Sequence, residues 1–388
     1  MFFKTFINKN NNVDVNQVTQ DLIEQTEDRI KIEKDNKKLE DLKNIKQILI
    51  ESKTNGFASR YGIENEKISF ADSELLEAIN RGDKAVDYLV YRYKFKEYPL
   101  KHKLANFPLV LAIEASSKCN LRCKMCFQSS ETFKNSNQNN TIMSMDLYNK
   151  IMSELDDNQL YSIVFASRGE PLLNPNIGEM IRIAKDKNVL DIKLNTNAVL
   201  LNEGIARKLL QSGLDLIVFS IDSIIPEHYK EIRGVDLNIV LKNINNFLKI
   251  KKNEFPNSKL KTRVSMVITN EYKEDLDDEV VKAKEYWLSK VDELAIKSEN
   301  DFIHIYDKEH QKEQLNVCNL LWERLYIWSN GDVNPCDIDH LSTLKLGNLK
   351  EGDTIKEIWN SKKMNDLRKE HLHNRNNMNC VCKNCKGY

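Results

Sequence analysis

Six short apolar segments alternate with helical patterns between residues 108 and 298, and this alternation limits the possible fold more than any other feature of the sequence. The apolar segments are β-rich and occupy 108–115, 161–166, 189–197, 214–222, 260–269 and 291–298. Helical patterns fall between them, near 144–156, 176–188, 203–212, 236–252 and 273–290. Strands joined by crossover helices form a parallel sheet, so the sequence predicts an α/β fold, either doubly wound or an incomplete barrel. In both architectures functional residues gather at the carboxyl ends of the strands.

The segments on either side of this repeat have different patterns. Residues 1–100 carry leucine and isoleucine at helical intervals within dense charge, which predicts an N-terminal helical extension. After residue 300 the alternation stops, and Asn330-Gly331 favours the two-residue turn of a hairpin. We therefore divide the chain into the extension (1–100), a core (101–300) and a small α+β C-terminal domain (301–388). We interpret the extension as a packing or dimerisation appendage, with substrate recognition as the alternative.

Charge and hydropathy exclude several classes of partner. The 58 basic side chains equal the 58 acidic ones, so no global charge recruits nucleic acid or an anionic membrane. The N-terminal apolar stretch is interrupted by Lys4 and ends too soon for a secretory signal. No later segment is apolar over the length of a membrane span. We expect a cytoplasmic protein that binds neither nucleic acid nor membrane.

The chain has eight cysteines, and most of them form two tight groups. Disulfides are rare in the reducing cytoplasm, so grouped cysteines indicate a metal. The first group follows the first predicted strand with the spacing Cys119-x3-Cys123-x2-Cys126. A [4Fe–4S] cube normally takes four thiolates, so three local ligands would leave one iron open to a small molecule. A zinc ion with a distant fourth ligand is the alternative.

The cysteine spacing and a Gly169-Glu170-Pro171 sequence after the second strand together resemble the radical SAM superfamily. Two positions depart from its usual pattern. Met125 stands where an aromatic residue is usual, with Phe127 just after, and Arg168 replaces the first glycine of the second motif. The resemblance covers residues from about 108 to 298 and implies a partial (β/α)6 barrel. It also implies that S-adenosylmethionine (SAM) chelates the open iron and is cleaved to a 5′-deoxyadenosyl radical, with electrons from a reduced flavodoxin or ferredoxin.

The resemblance further suggests which residues contact SAM. A carboxylate in the second motif would hold the methionine ammonium through a charge-assisted bond, and glycine would let the backbone approach closely. Polar residues at the ends of the third and fourth strands would reach the carboxylate and ribose. The predicted SAM-contacting residues are Met125, Phe127, Gly169, Glu170, Pro171, Asn195, Ser220, Asp222 and Arg233.

The second cysteine group resembles the SPASM/twitch extension of many radical SAM enzymes, including the phrases GDVNPC, LGNL and IKEIWNS. Five cysteines lie beyond residue 300, which fits the shorter form with one auxiliary [4Fe–4S] cluster. The predicted ligands are Cys318, Cys336, Cys382 and Cys385. The remaining Cys380 either replaces Cys382 or is a free thiol. A structural zinc ribbon is the alternative for this group.

An auxiliary cluster with four protein ligands suggests an electron acceptor. We therefore expect a radical oxidoreductase acting on a small molecule such as a sugar or cyclitol alcohol. Peptide modification is the second hypothesis, and a non-catalytic iron–sulfur or zinc scaffold is a hypothesis of another class. No catalytic base is singled out by spacing. Asp337, next to Cys336, is a candidate, although a structural role suits it better.

Overall fold

The computed structural model describes residues 3–7, 14–55, 63–64, 67–136, 140–269, 276–299, 303, 305–306, 316–373, 375–378 and 380–385. The chain divides into two compact units. One combines Met1–Asn8, Val110–Cys318 and Arg324–Tyr388, and the other combines Lys9–Leu109 with Asn319–Glu323. The three-part division of the chain at residues 100 and 300 stays a prediction.

The secondary structure has the following bounds. The strands are β1 (Phe3–Ile7), β2 (Ile63–Glu64), β3 (Lys67–Ile68), β4 (Val110–Ile113), β5 (Ser162–Phe165), β6 (Asp191–Thr196), β7 (Leu216–Ser220), β8 (Lys261–Ile268), β9 (Glu293–Ser298), β10 (Arg324–Ile327), β11 (Asp332–Asn334) and β12 (Gly347–Asn348). The helices are α1 (Val15–Ile32), α2 (Asn36–Asn55), α3 (Asp72–Asn80), α4 (Ala85–Leu100), α5 (Glu131–Lys134), α6 (Met145–Ser153), α7 (Ile177–Asp186), α8 (Glu203–Gln211), α9 (Pro226–Arg233), α10 (Leu237–Glu254), α11 (Leu276–Trp287), α12 (Leu320–Glu323), α13 (Ile355–Asn360) and α14 (Lys362–His373).

The unit built from Lys9–Leu109 and Asn319–Glu323 is mainly helical, as predicted for the N-terminal region, and it also contains the antiparallel pair β2 and β3, which was not predicted. Helix α1 begins after Asp14, whose carboxylate accepts hydrogen bonds from two backbone N–H groups of the first turn. Inside the unit, the buried Glu74 carboxylate pairs with Arg92 and Lys96 at 2.7 and 2.5 Å. This network satisfies a charge that would otherwise be buried without a partner.

The other unit is built on a ten-stranded sheet in the order β1-β9-β8-β7-β6-β5-β4-β10-β11-β12. The six central strands, β4 to β9, are parallel and follow chain order, which confirms the predicted α/β partial barrel. The predicted hairpin is also present, because β10 and β11 pair antiparallel on either side of Gly331, whose φ is +97°.

Two additions to this sheet were not predicted. Strand β10 extends the parallel array by pairing with β4. Strand β1 pairs antiparallel with β9, so the first residues of the chain belong to the sheet and not to the helical region.

The two faces of the sheet differ in polarity. Residues paired across neighbouring strands point to the same side, and successive residues point to opposite sides. One side is apolar and fully buried, and it carries Leu111, Ile113, Ile163, Phe165, Ile192, Leu194, Ile217 and Phe219. The other, which we call the polar face, carries Ser162, Asp191, Lys193, Asn195, Ser220, Arg263, Ser265 and Lys297, together with the apolar residues Ala112, Val164, Leu216, Val218 and Val267. The barrel therefore presents hydrogen-bonding groups on the side opposite its apolar core.

Candidate functional site

The cysteine loop, residues 119–126, follows β4 and lines a cavity of about 330 Å³. Local hydrogen bonds shape the loop. The Cys126 N–H and the Ser129 hydroxyl donate to the Cys123 carbonyl at 3.0 and 2.8 Å, and Arg122 donates to the Cys119 carbonyl at 2.8 Å. All three cysteines line the cavity, so the structure brings the predicted cluster ligands together at the carboxyl end of β4.

Burial disfavours the thiolate forms of these cysteines. It raises the pKa of Cys119 and Cys123, and it raises the pKa of Cys126 to about 12. Thiols in such a setting ionise when a metal centre supplies the missing positive charge. Within the described residues, no three His, Cys, Asp or Glu side chains are grouped closely enough to hold one metal ion. Each thiolate of a four-iron cube binds a different iron, so its ligands are spaced more widely than those of a single ion.

Gly169 lets the second motif pack directly on the cysteine loop. A Cβ atom at this position would lie 2.2 Å from the Ser116 carbonyl oxygen and 2.4 Å from that of Lys118. The Glu170 N–H donates to the same Lys118 oxygen at 2.8 Å. Only glycine permits this approach, which explains in physical terms why the motif requires glycine here.

The Glu170 carboxylate is held at the cavity wall by three hydrogen bonds. It accepts from the Thr196 hydroxyl at 2.7 Å, from the Asn197 N–H at 2.8 Å and from the Leu172 N–H at 3.0 Å. Burial raises its pKa. The side chain lines the cavity, where a ligand cation would offset the cost of burying its charge.

A buried ion pair also borders the cavity. Arg233 binds the Asp222 carboxylate at 2.6 Å, and the other oxygen of Asp222 accepts from the Val267 N–H at 3.1 Å. Arg233 lines the cavity, whereas Asp222 lies behind it. In this structure Asp222 therefore orients Arg233 and does not itself face the cavity.

Most of the predicted SAM-contacting residues lie together. The cavity lining includes Met125, Phe127, Gly169, Glu170, Asn195, Ser220 and Arg233. Pro171 and Asp222 are outside it, and Pro171 instead begins a single 3-10 turn. The individual contacts with SAM stay predictions.

Several residues of the cavity wall were missed by sequence reasoning. Gln128 donates through its amide to the Ser117 and Arg168 carbonyls at 2.8 and 2.5 Å, so it ties both motifs together. Lys297 and Glu299 stand at the end of β9. The rule that sites gather at strand ends, extended to the sixth strand, would have found these two.

Ser167 is the strained position of the cavity wall. Its φ of +101° is unusual for a residue with a side chain, and its buried hydroxyl has no hydrogen-bond partner in the described structure. Backbone strain of this kind is found at binding and active sites, where the surrounding packing holds it.

Arg168 connects the second motif to the C-terminal domain. Its guanidinium binds Glu114 at 2.5 and 3.0 Å, and both side chains are fully buried. It also donates to the His340 carbonyl at 3.1 Å and lies 4.3 Å above the Trp328 ring. Glu114 accepts two further hydrogen bonds from Ser329, at 3.0 and 2.6 Å.

A ring contact reinforces this connection. Phe127, next to the third cysteine of the loop, stacks on His340 with centroids 4.4 Å apart and planes 7° from parallel. Burial lowers the pKa of His340 to about 4, so this imidazole is neutral at pH 7. The residue that follows the cysteine loop is thereby in direct contact with the segment after Cys336.

The second cysteine group is buried in a small apolar cluster. Cys385 packs with Ile305, Ile338 and Val381, and Cys336 and Cys382 pack against them. The charge of Cys318 acts on the pKa of both Cys336 and Cys382, so it belongs to the same neighbourhood. These four are the predicted auxiliary ligands. Cys380 makes a hydrogen bond with Cys382 that lowers the pKa of Cys380 to about 7.

Asp337 lies half-buried beside this group. Burial raises its pKa, the positive charges of Arg324 and Lys297 lower it, and Tyr326 contributes a hydrogen bond. Its Oδ1 atom has no hydrogen-bond partner in the described structure. Lys297 lines the cavity, whereas Asp337 does not.

The fold and the two cysteine groups are typical of iron–sulfur enzymes that generate radicals. Residues 113–281 match the family model of the Radical SAM superfamily, and residues 318–386 match the SPASM model, an iron-sulfur cluster-binding domain. The chain belongs to the radical SAM superfamily and carries a SPASM domain. Its expected cofactors are therefore a SAM-binding [4Fe–4S] cluster, an auxiliary cluster and SAM.

Known relatives share parts of the chain. A probable GTP 3′,8-cyclase of Methanococcus maripaludis is 34% identical over 139 residues, which is 36% of this chain and 45% of that protein. The tungsten-containing aldehyde ferredoxin oxidoreductase cofactor-modifying protein of Pyrococcus furiosus is 34% identical over 113 residues, 29% of this chain and 30% of that protein. The chain thus spans less than half the length of these relatives.

A solved structure shares the fold. Streptococcus suis SuiB, solved bound to S-adenosylmethionine, is similar with a TM-score of 0.52 and 19% identity, covering 79% of this chain and 78% of that one. None of the helices that the structure describes combines the length and apolarity needed to cross a membrane.

Proposed function

We propose that the protein is a radical SAM oxidoreductase that removes hydrogen from a carbon of a polar small molecule, such as a sugar or cyclitol alcohol. The observation that carries this proposal is the polar face of the sheet. Asn195, Ser220 and Lys297 belong both to that face and to the cavity lining. A hydroxyl-rich substrate would pair with such groups, whereas an apolar one would leave them unsatisfied.

Different residues of the cavity would bind the cluster and the two charged groups of SAM. Cys119, Cys123 and Cys126 would hold the cluster, and Glu170 would receive the methionine ammonium of SAM. Arg233, oriented by Asp222, would attract its carboxylate. When bound, the clusters and SAM would supply a radical that takes a hydrogen atom from the substrate and an acceptor for one electron. An alcohol that loses a hydrogen atom, an electron and a proton becomes a carbonyl.

The proposal requires a source of electrons. A reduced flavodoxin or ferredoxin of the cytoplasm would provide them. The eight cysteines form no disulfide in the structure, and the reducing cytoplasm would keep them in that state.

A second candidate is a radical reaction on a larger substrate, such as a peptide or a nucleotide. The relatives support it, because one is named a GTP 3′,8-cyclase and another a cofactor-modifying protein. The two candidates differ in the expected product, a carbonyl in the first and a new covalent bond in the second. Mass spectrometry of the product separates them.

Formation of 5′-deoxyadenosine tests both candidates against a non-catalytic scaffold. Anaerobically reconstituted protein is incubated with SAM and dithionite, and the nucleoside is measured by chromatography. We expect formation by the wild type and none by Cys123→Ala. Lys124→Ala is the matched control, because this half-exposed side chain of the same loop pairs with Glu231 at the surface. A wild type that forms no 5′-deoxyadenosine would refute the proposal.

A further inference from the structure

Lys297 is a cation of the cavity wall that does not pair with an acid. It lies near the carboxyl end of β9, on the polar face, and it is exposed and lines the cavity. Among the residues that the structure describes, none forms a hydrogen bond or an ion pair with its ammonium. Asp337 is influenced by its charge, but the two side chains form no ion pair. The ammonium is therefore accessible to a molecule in the cavity.

The other cations that line the described part of the cavity have acid partners. Arg168 binds Glu114, and both side chains are fully buried. Arg233 binds Asp222 at 2.6 Å. These two positive charges are thus already neutralised within the chain, whereas that of Lys297 is not.

Cations elsewhere on the polar face show the same contrast. Lys193 binds Asp191 at 2.8 Å, and Arg263 binds Glu293 at 2.7 Å. Neither Lys193 nor Arg263 lines the cavity. On this face a cation away from the cavity is paired, and the cation at the cavity is unpaired. A charge of one sign in a cleft with low-dielectric walls attracts ligands of the opposite sign.

SAM does not supply the missing negative charge. In the proposed arrangement its ammonium and its carboxylate, which are bonded to the same carbon, go to Glu170 and Arg233. Glu170 follows β5, and three strands separate β5 from β9. Neighbouring strands are about 4.8 Å apart, so Lys297 stands about 19 Å from the end of β5 along the curve of the sheet. The sulfonium of SAM is itself positive and would be repelled by lysine.

We propose that Lys297 binds an anionic group of the substrate, which is then a sugar or cyclitol derivative that carries a phosphate or a carboxylate; this inference rests on the proposed function. A lysine ammonium is a compact positive charge with three donors, and the oxygens of both groups are acceptors that match it. Asn195 and Ser220, on the same face and in the same cavity wall, would remain for the hydroxyl groups. A neutral polyol would leave the ammonium without a counter-charge.

The test compares anionic probes with their neutral counterparts on reconstituted protein loaded with SAM. Glucose, myo-inositol, their monophosphates and glucuronate are titrated at constant ionic strength, and dissociation constants are taken from the shift of the melting temperature. We expect at least one anionic probe to bind more tightly than its neutral counterpart. The preferred probe identifies the group as phosphate or carboxylate. Raising the KCl concentration should reduce this preference, because salt screens the charge of an exposed lysine.

The decisive variant is Lys297→Gln, which keeps a polar side chain and removes the charge. It should weaken binding of the preferred probe about tenfold to a hundredfold, as expected for the loss of a charge-assisted hydrogen bond. Lys193→Gln is the matched control, because Lys193 shares the polar face but is paired with Asp191 and lies outside the cavity lining. It should bind the probe as the wild type does.

Several results would overturn the inference. These are binding of no probe, equal binding of neutral and anionic probes, a preference that survives in Lys297→Gln, and an equal loss in Lys193→Gln. Equilibrium dialysis with SAM provides a further check, because weaker SAM binding by Lys297→Gln would assign the ammonium to SAM and refute its role in substrate binding. Wild-type formation of 5′-deoxyadenosine without any preference for anionic probes would leave the proposed radical chemistry standing and remove only this subsite.

Discussion

The buried pair of Arg168 and Glu114 offers the sharpest test of how this molecule is held together. Replacing Arg168 with methionine removes the charge and keeps an unbranched side chain of similar reach. Glu114 would then remain fully buried with two hydrogen bonds from Ser329 and no counter-charge. The Trp328 ring would also lose the guanidinium that lies 4.3 Å from its centre.

The expected cost follows from this geometry. Breaking a buried ion pair by removing one partner typically costs about 3–5 kcal/mol, because the remaining charge stays out of water. The cation–π contact adds about 1–2 kcal/mol when desolvated. Replacing both partners, as in Arg168→Met with Glu114→Leu, should cost less than either single substitution, since no uncompensated charge is left.

The assay is urea unfolding of the reconstituted protein, followed by fluorescence and by cluster absorbance. Arg182→Met is the matched control, because Arg182 binds Glu179 through two similar bonds, at 3.0 and 2.6 Å, but on the surface. We expect little or no change for the control. The burial argument would be refuted if Arg168→Met lowered the free energy of unfolding by less than about 1 kcal/mol, or if the double variant were less stable than both single variants.

Three other predictions concern the motifs and the C-terminal domain. Gly169→Ala should abolish SAM binding measured by equilibrium dialysis, because its Cβ would lie 2.2 Å from a backbone oxygen, whereas Gly178→Ala, with no atom nearer than 3.6 Å, should not. Wild-type protein should hold about eight irons by chemical analysis and Cys382→Ser about four, and an unchanged content would remove Cys382 from the ligand set. Burial lowers the pKa of His371 from 6.5 to about 4, so the unfolded chain takes up this proton first. The His371 contribution to stability should therefore fall by about 2 kcal/mol from pH 7 to pH 5, with His340 adding a fall of its own. In urea titrations His371→Leu should lose about 2 kcal/mol less than the wild type over this range, whereas the exposed His373→Leu should lose as much as the wild type.

The core of the sheet could be predicted from sequence because each strand is a compact apolar run between helical patterns. All six central strands lie within the predicted segments, for example β6 at Asp191–Thr196 within 189–197. Strand β1 could not be predicted in this way. Its five residues become a strand by pairing with β9, almost 300 positions later, and no local pattern records such a partner.

The residues of the site also differ in how far the sequence predicts them. The three cysteines and Gly169-Glu170 are close in sequence or carry a motif, so spacing alone could bring them together. Glu114 and Ser329 are 215 positions apart, and their contact depends on β10 joining the sheet beside β4.

Arg168 is both a departure from a sequence motif and a long-range contact. At a position where glycine is usual in the second motif, a long charged side chain would be expected to obstruct the cavity. Instead it turns away into a fully buried pair with Glu114, and from there it reaches the His340 carbonyl. The same histidine stacks on Phe127, the residue that follows the cysteine loop. Two contacts, one polar and one aromatic, therefore fix the segment after Cys336 against the SAM motifs. The residue that departs from the family pattern therefore helps to hold the segment with Cys336 in a fixed position relative to the cavity.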